Sequence, residues 1–375
     1  MELLSINHIR ISDDRHLVEA ELQDGERIHQ VYFKSLDTTL SPNPEAFITS
    51  AIIPCMKKRI PLRVDGDVDA SYLENILMAE ATLNSWKPKY KKVDILGARP
   101  IKGSALPGQR VGVFFSGGID SFFTFLKNRD EITDLIFVHG FDIPLEQLSM
   151  RERMSAMLKK VGEHFGKRVI EVETNVRNFL DEYAFWGFTH GAVLGSIGHL
   201  LAPEFRRIYI AAARTYDTLR PYGVHPDLDP YWGKNGLEYI HDGLETFRTQ
   251  KVAFISQYDV VLESLRICLW FPREALNCGK CEKCLRGMVY LRAFGALERC
   301  TTFETPLNLN RLTRLKITHD PSGDALSEVL SIVEARGDDP ELVEAVRKTI
   351  YRPTWQKILI TRFRGLRKKI HLGLR

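Results

Sequence analysis

Two short strings in this 375-residue chain combine residue types and spacing that suit chemistry. The first is Ser116-Gly117-Gly118-Ile119-Asp120-Ser121, which follows the apolar run VGVFF (111–115) and opens a helical pattern running through Leu126. The first-turn amides of a helix lack intrahelical partners, and two glycines let the main chain approach a phosphate closely. Ser116 and Ser121 add hydroxyl donors. Asp120 beside a polyphosphate is unfavourable unless a cation lies between them, so it implies Mg2+. The competing use of the same residues is a tight strand-to-helix turn with a serine cap.

The second string is NCGKCEKCLRG, with Cys278, Cys281 and Cys284, and with Cys268 ten residues upstream. Two CxxC steps place three thiolates around one centre, and Cys268 completes a tetrahedral four-cysteine set for Zn2+. Gly279 permits the turn between ligands, while Lys280 and Lys283 offset thiolate charge. Cys300 is the substitute ligand, ranked second because it lies beyond an apparent helix over 286–297. An iron–sulfur run expects a further cysteine three residues on, followed by proline, and neither is present. Four protein ligands leave no open position, which favours a structural role.

A third region, Thr215 to Asp242, is dense in Tyr, His, Asp and Pro and follows the apolar run RIYIAAA (207–213). Loops at the carboxyl ends of parallel strands are where open α/β sheets bind ligands. Arg214, Asp217, His225 and Asp227 are the candidates for substrate contact, with a packed aromatic loop as the alternative. His225 suits acid–base work near neutral pH. His139 follows a buried strand near where a nucleotide base would lie. Arg177 is a candidate to offset phosphate charge, and His190 opens a helical segment.

The elements that position these residues have a recognisable rhythm. From residue 111, apolar runs at 111–115, 135–141, 168–174 and 207–213 alternate with helical stretches near 119–126, 149–166 and 189–201. That alternation predicts an α/β fold with a doubly wound parallel sheet. Residues 1–100 read as a separate small α+β domain: antiparallel strands at His8–Ser12, Leu17–Leu22 and Ile28–Lys34, an Asp24-Gly25 turn, and a helix over Ala70–Trp86 capped by Asp69 or Ser71. The Gly/Pro-rich segment 101–110 reads as a linker, 111–300 as the nucleotide domain with its four-cysteine site, and 301–375 as a helical extension with helices over Asp324–Arg336 and Pro340–Ile350.

SGGxDS after a hydrophobic strand resembles the pyrophosphate-binding PP-loop of the ATP pyrophosphatase superfamily; no Walker GxxxxGK[ST] occurs in the chain. Together with the Cys-x9-Cys-x2-Cys-x2-Cys spacing, it resembles the 7-cyano-7-deazaguanine synthase family over roughly 111–290. Thr174–Arg177, Pro226 and Asp227 within YGVHPDLDPYW, and Lys251 are similar to further stretches of that family. The resemblance implies a PP-loop fold, cleavage of ATP to AMP and pyrophosphate, and adenylation of a carboxylate or amide oxygen for attack by a nitrogen nucleophile, as in a C–N ligase. It implies ATP contacts at Ser116, Gly117, Gly118, Ile119, Asp120 and Ser121, with Asp120, Ser121 and Lys251 as catalytic residues. The chain departs from the family where Phe122-Phe123 follow the loop, where His139-Gly140-Phe141-Asp142 replace a tyrosine–glycine–glutamine, and where Leu228-Asp229 replace a cysteine and an arginine. ATP, Mg2+ and Zn2+ therefore carry over, while the acceptor is unnamed and its nature, small molecule or macromolecule, open. The alternatives are a sulfurtransferase acting on RNA and a nucleotide-binding partner module without catalysis.

Composition sets the limits. Apolar residues make up 44% and charged residues 27%, which excludes an extensively disordered chain. No run approaches the roughly 20 apolar residues of a membrane span. The sequence MELLSINHIRISDD lacks a basic-then-apolar layout, so a cytoplasmic location is expected. The net charge of +4 is unevenly placed: Arg352 to Arg375 hold eight Lys or Arg and no acid. Trp355, Ile358, Leu359, Phe363, Leu366 and Ile370 recur there at helical spacing, which makes the tail a candidate for an anionic membrane surface or RNA. Oligomeric state is open, a homodimer included.

Overall fold

A computed structural model describes residues 2–103, 108–269, 275–315 and 322–351. The basic tail, and with it the membrane or RNA contact expected of residues 352–375, lies outside the described residues. The chain forms two compact units, Met1–Glu245 and Thr246–Arg375.

The first unit is built on ten strands: β1 (Leu4–Ile11), β2 (Leu17–Asp24), β3 (Arg27–Lys34), β4 (Leu62–Asp69), β5 (Ile95–Ile101), β6 (Arg110–Phe114), β7 (Asp134–His139), β8 (Arg168–Thr174), β9 (Phe205–Ala211) and β10 (Glu238–Asp242). They make one sheet in the order β10-β9-β6-β7-β8-β3-β2-β1-β4-β5. Six of its nine pairings are parallel; β1–β2, β2–β3 and β3–β8 are antiparallel. Its helices are α1 (Pro44–Lys58), α2 (Ala70–Trp86), α3 (Ile119–Lys127), α4 (Leu148–Phe165), α5 (Val176–Tyr183) and α6 (Trp186–Leu201). The expected α/β class with a mainly parallel sheet is therefore present.

Helices cover both faces of β6, and its sequence shows why. Phe115, just past the strand, meets Phe122 and Phe125 of α3 at 4.8 and 5.9 Å between ring centroids. Phe114 faces the other way, into a core shared with Val193 and Ile197 of α6. A strand apolar from Val111 onward is what burial on two sides requires. Gly112 is needed for close approach: a Cβ there would lie 2.7 Å from Ile136 Cδ1.

Two boundaries differ from the sequence reading. Residues 1–100 are not a separate domain, because β3 pairs with β8 through Phe33↔Thr174 and Lys34↔Glu173 and so carries the sheet on into β2, β1, β4 and β5. The segment 101–110 joins two strands of this one sheet instead of linking two domains. The unit 111–300 is also divided, since the sheet ends with β10 and the cysteine string belongs to Thr246–Arg375. That second unit contains α7 (Arg248–Ile255), α8 (Asp259–Leu262), α9 (Glu282–Ala293), α10 (Leu309–Leu312), α11 (Ser322–Arg336) and α12 (Pro340–Ile350). Arg292 of α9 reaches Asp339 Oδ2 at 2.7 Å, and the same aspartate caps α12 by accepting from Leu342 N at 3.1 Å.

Candidate functional site

Numbered from β6, the parallel part of the sheet runs in the order 5-4-1-2-3, so the chain order reverses between β6 and β9. Open α/β sheets bind ligands outside the carboxyl ends of strands at this reversal. The string 116–121 lies there, directly after β6. Gly117 has φ 71°, a left-handed conformation that glycine adopts without a Cβ penalty. Gly118 is the N-cap of α3. Ser121 Oγ accepts from Gly118 N and donates to Gly118 O, both at 3.1 Å, and lies 3.3 Å from Ser116 Oγ. The Ser121 hydroxyl thus shapes the turn from a buried position, while Ser116 is exposed and Asp120 half-buried in the first turn. Phe122, which departs from the family pattern, anchors α3 on Phe115.

At the end of β7, His139 Nε2 bonds Glu171 Oε2 at 2.6 Å, and Ser155 Oγ donates to the same oxygen at 2.5 Å. Burial works against ionisation of Glu171, but these two hydrogen bonds outweigh it and hold its carboxyl below the ordinary range. Arg177 is committed elsewhere: it donates to Phe141 O and to Asp181 Oδ2 (3.0 Å), and lies 4.8 Å over the Trp186 ring. It offers no obvious phosphate contact.

The loop after β9 separates the four substrate candidates. Arg214 Nη1 donates to Thr218 O at 3.3 Å within a short turn that also carries Asp217, which is exposed. His225 is buried against Trp86, 4.6 Å between centroids, and its Nδ1 accepts from Asp227 N at 3.1 Å. Burial lowers the His225 pKa, so it stays neutral at physiological pH. The Asp227 carboxylate itself is exposed. Two residues missed from sequence complete this cluster. Asp229, fully buried, accepts from His225 N at 3.1 Å and bonds His241 Nδ1 at 2.6 Å. Asp229 registered only as a departure from the family, and β10, which carries His241, has five residues and no distinctive pattern. His190 Nδ1 lies 3.1 Å from Trp186 O, and burial lowers its pKa, as befits a packed histidine. Lys251 is buried in α7 of the second unit.

In that second unit, Cys268, Cys278, Cys281 and Cys284 bring their sulfurs within 4.8 Å of one another. Three of the separations are 3.5, 3.8 and 3.8 Å. A tetrahedron with bonds of about 2.3 Å has edges of about 3.8 Å. Main-chain amides support the thiols: Cys281 N donates to Cys278 Sγ at 3.3 Å, and Cys284 N to Cys281 Sγ at 3.4 Å. Gly279 turns with φ 65°, and a Cβ there would lie 2.4 Å from Thr305 O. Buried Asn277 fixes the other arm by accepting from Cys268 N (3.0 Å) and donating to Leu265 O (2.7 Å) and Thr302 Oγ1 (2.9 Å). The hydrogen bond that Cys281 shares with Cys268 pushes its thiol up to about 11, a cost of crowding thiols that a cation among them reverses. The set could hold a metal ion such as zinc. Cys300 is outside it, donating to Leu262 O at 3.1 Å.

No helix among the described residues is long and apolar enough to cross a membrane. Compared with protein-family models, curated proteins and solved structures, the chain matches none.

Proposed function

We propose that this chain is an ATP-dependent, AMP- and pyrophosphate-forming enzyme of the PP-loop type, a long and divergent relative of the 7-cyano-7-deazaguanine synthases. The observation that carries the reading is the complete SGGIDS string on a left-handed glycine at the reversal point of the sheet. The loop amides and the Ser116 hydroxyl would hold the phosphates, and Ser121 would keep the turn in shape. Asp120 supplies one carboxylate, the donor set Mg2+ takes when phosphates provide the rest. Magnesium, when bound, screens Asp120 from the phosphates and neutralises charge on departing pyrophosphate. Preorganised amides at the start of α3 stabilise the same charge without reorganising. An acceptor carboxylate or amide oxygen takes the adenylyl group, and a nitrogen nucleophile then displaces AMP. Arg214, Asp217, His225 and Asp227 are proposed for the acceptor; Lys251, catalytic by the resemblance, belongs to the second unit. The four-cysteine set is proposed as a structural zinc site.

Sulfur transfer fits less well. Outside the four-cysteine set only Cys55 and Cys300 remain, both buried, and burial raises both thiols, away from the reactive thiolate. The test is ATP incubated with the protein and a small-molecule cell extract, with AMP and pyrophosphate quantified. Extract-dependent release of both by the wild type, lowered at least about a hundredfold in Asp120→Ala, is expected. Equal release by the two proteins refutes the enzyme reading and leaves the partner module.

A further inference from the structure

Phe185 stands where a helix start ordinarily takes Ser, Thr, Asp or Asn. It is the N-cap of α6, its side chain makes no capping hydrogen bond, and it is 65% exposed. The phenyl ring thus serves neither the helix nor the core. Tyr222, 41% exposed on the loop after β9, comes to the same place. Both rings settle on Gly187: a Cβ there would strike the Phe185 ring and lie 2.9 Å from Tyr222 Cε2.

Each exposed ring is held from behind. Phe185 packs on Phe188 at 6.4 Å between centroids, and Tyr222 meets His190 edge-on at 5.0 Å. His190 is fixed in turn, with its Nδ1 3.1 Å from Trp186 O. The two rings are therefore set in advance, and a flat ligand that stacks on them orders little on binding.

The charge beside them is positive. The Lys87 ammonium lies 5.2 Å over the Phe188 ring, and Tyr90, 6.0 Å from Phe188, carries the Lys89 ammonium at 5.7 Å. Neither lysine meets a carboxylate among the described residues. They belong to the string Lys87-Pro88-Lys89-Tyr90-Lys91-Lys92, which contains no acid. The acids nearest Phe185 in sequence are already paired, Asp181 with Arg177 at 3.0 Å and Glu182 with Arg27 at 3.3 Å. Asp227, beyond Tyr222, leans on His225 Nδ1 at 3.7 Å.

Exposed aromatic faces beside unpaired cations suit single-stranded nucleic acid, whose bases stack on rings while lysines neutralise its phosphates. A duplex offers no free base faces. A face that enters a membrane also presents aliphatic side chains, whereas the exposed apolar side chains that meet at Gly187 are both aromatic.

We propose that Phe185 and Tyr222 form a stacking platform for the bases of a single-stranded nucleic acid, with its phosphates on Lys87 and Lys89. The platform uses none of residues 116–121, so it stands or falls without the ATP reading and adds a macromolecular partner to it.

The test titrates the full chain into fluorescein-labelled oligouridine RNA at several salt concentrations and reads anisotropy. Phe185→Ser with Tyr222→Ser is expected to weaken binding at least about tenfold. Lys87→Gln with Lys89→Gln is expected to flatten the slope of log affinity against log salt by about 1.4, the share of two single-strand phosphates. Oligouridine annealed to oligoadenosine is expected to compete poorly. No binding at low salt overturns the platform, and so does binding that the aromatic variant leaves unchanged, which would assign the strand to another basic segment. Vesicles of phosphatidylserine and phosphatidylcholine held through the two rings, with oligouridine ignored, overturn it in favour of a membrane. Phe185→Leu with Tyr222→Leu keeps the bulk, loses the flat faces, and decides if the serine variant unfolds.

Discussion

Replacing Cys268 by serine is the sharpest perturbation of the second unit, because this fully buried thiol is the one ligand outside the CxxCxxC string. The four sulfurs stand within a few tenths of an ångström of tetrahedral spacing at the three separations known, 3.5, 3.8 and 3.8 Å. Metal binding therefore requires little rearrangement of the folded unit. Structural Zn2+ sites in small peptides bind with roughly 10–16 kcal/mol at pH 7. A whole domain is stable by only about 5–15 kcal/mol. The metal is thus expected to contribute as much as all other interactions of Thr246–Arg375 combined. Elemental analysis of protein purified without chelator should find one zinc per chain. Cys268→Ser should lose most of it, and Cys300→Ser should keep it, because the Cys300 sulfur is bonded to Leu262 O outside the cluster. Chelator should expose new protease sites within 246–351 and lower the melting temperature of that unit. Protein expressed with ample zinc that carries no metal and melts identically with and without chelator would falsify the reasoning. One iron per chain in place of zinc would keep the tetrahedral site but overturn the choice of metal.

Two further predictions concern buried titratable groups in the first unit. Burial raises the Glu80 carboxyl from 4.5 to about 7, only partly offset by the hydrogen bond from Val93 N at 3.0 Å. The folded state holds this proton more tightly than the unfolded chain, so the contribution of Glu80 to stability is greatest below pH 4.5 and falls until pH 7, by roughly 3 kcal/mol. Glu80→Gln keeps the acceptor for Val93 and should unfold at higher urea than wild type at pH 8 but not at pH 4; a constant difference between the two across that range would sink the assignment. Asp229→Asn leaves an oxygen for His225 N and turns its amide nitrogen toward His241 Nδ1, so the His241 hydrogen should move from Nδ1 to Nε2. Nitrogen-15 NMR reads this directly, and an unchanged tautomer would show that Asp229 does not set it.

What the sequence disclosed depended on how each element is buried. The helix over Ala70–Trp86 was legible at both ends because Asp69 caps it, accepting from Ser71 N at 2.8 Å, and one face stays in solvent. The preceding α1 was missed: 12 of its 15 residues are buried, so it shows no polar stripe, and Pro54 lies inside it. β4 and β5 were missed for another reason. LRVDGDVD and ILGARPI contain Gly, Pro and charged residues that suit the outer part of a sheet but read as loop. The cysteine set was legible because ligand spacing is local. The Asp229–His241 pair was not, since its partners come from a loop and a strand that nothing in the sequence ties together.

The corrected boundary at 101–110 changes what the N-terminal residues are for. Thr174 Oγ1 donates to Tyr32 O at 2.6 Å, Tyr32 OH donates to Glu173 Oε1 at 2.6 Å, and Glu171 N donates to Asp37 Oδ2 at 2.7 Å. All three bonds fall on β8, whose Glu171 fixes the His139 ring at the end of β7. The N-terminal strands thus hold from outside the strand that fixes the His139 ring. Cutting the chain at the Gly/Pro-rich segment, which composition alone would recommend, would strip β8 of its only outer neighbour and free Glu171 from Asp37. Residues 1–100 are thus an outer support of β8, and a fragment that keeps β8 paired on both sides must include β3.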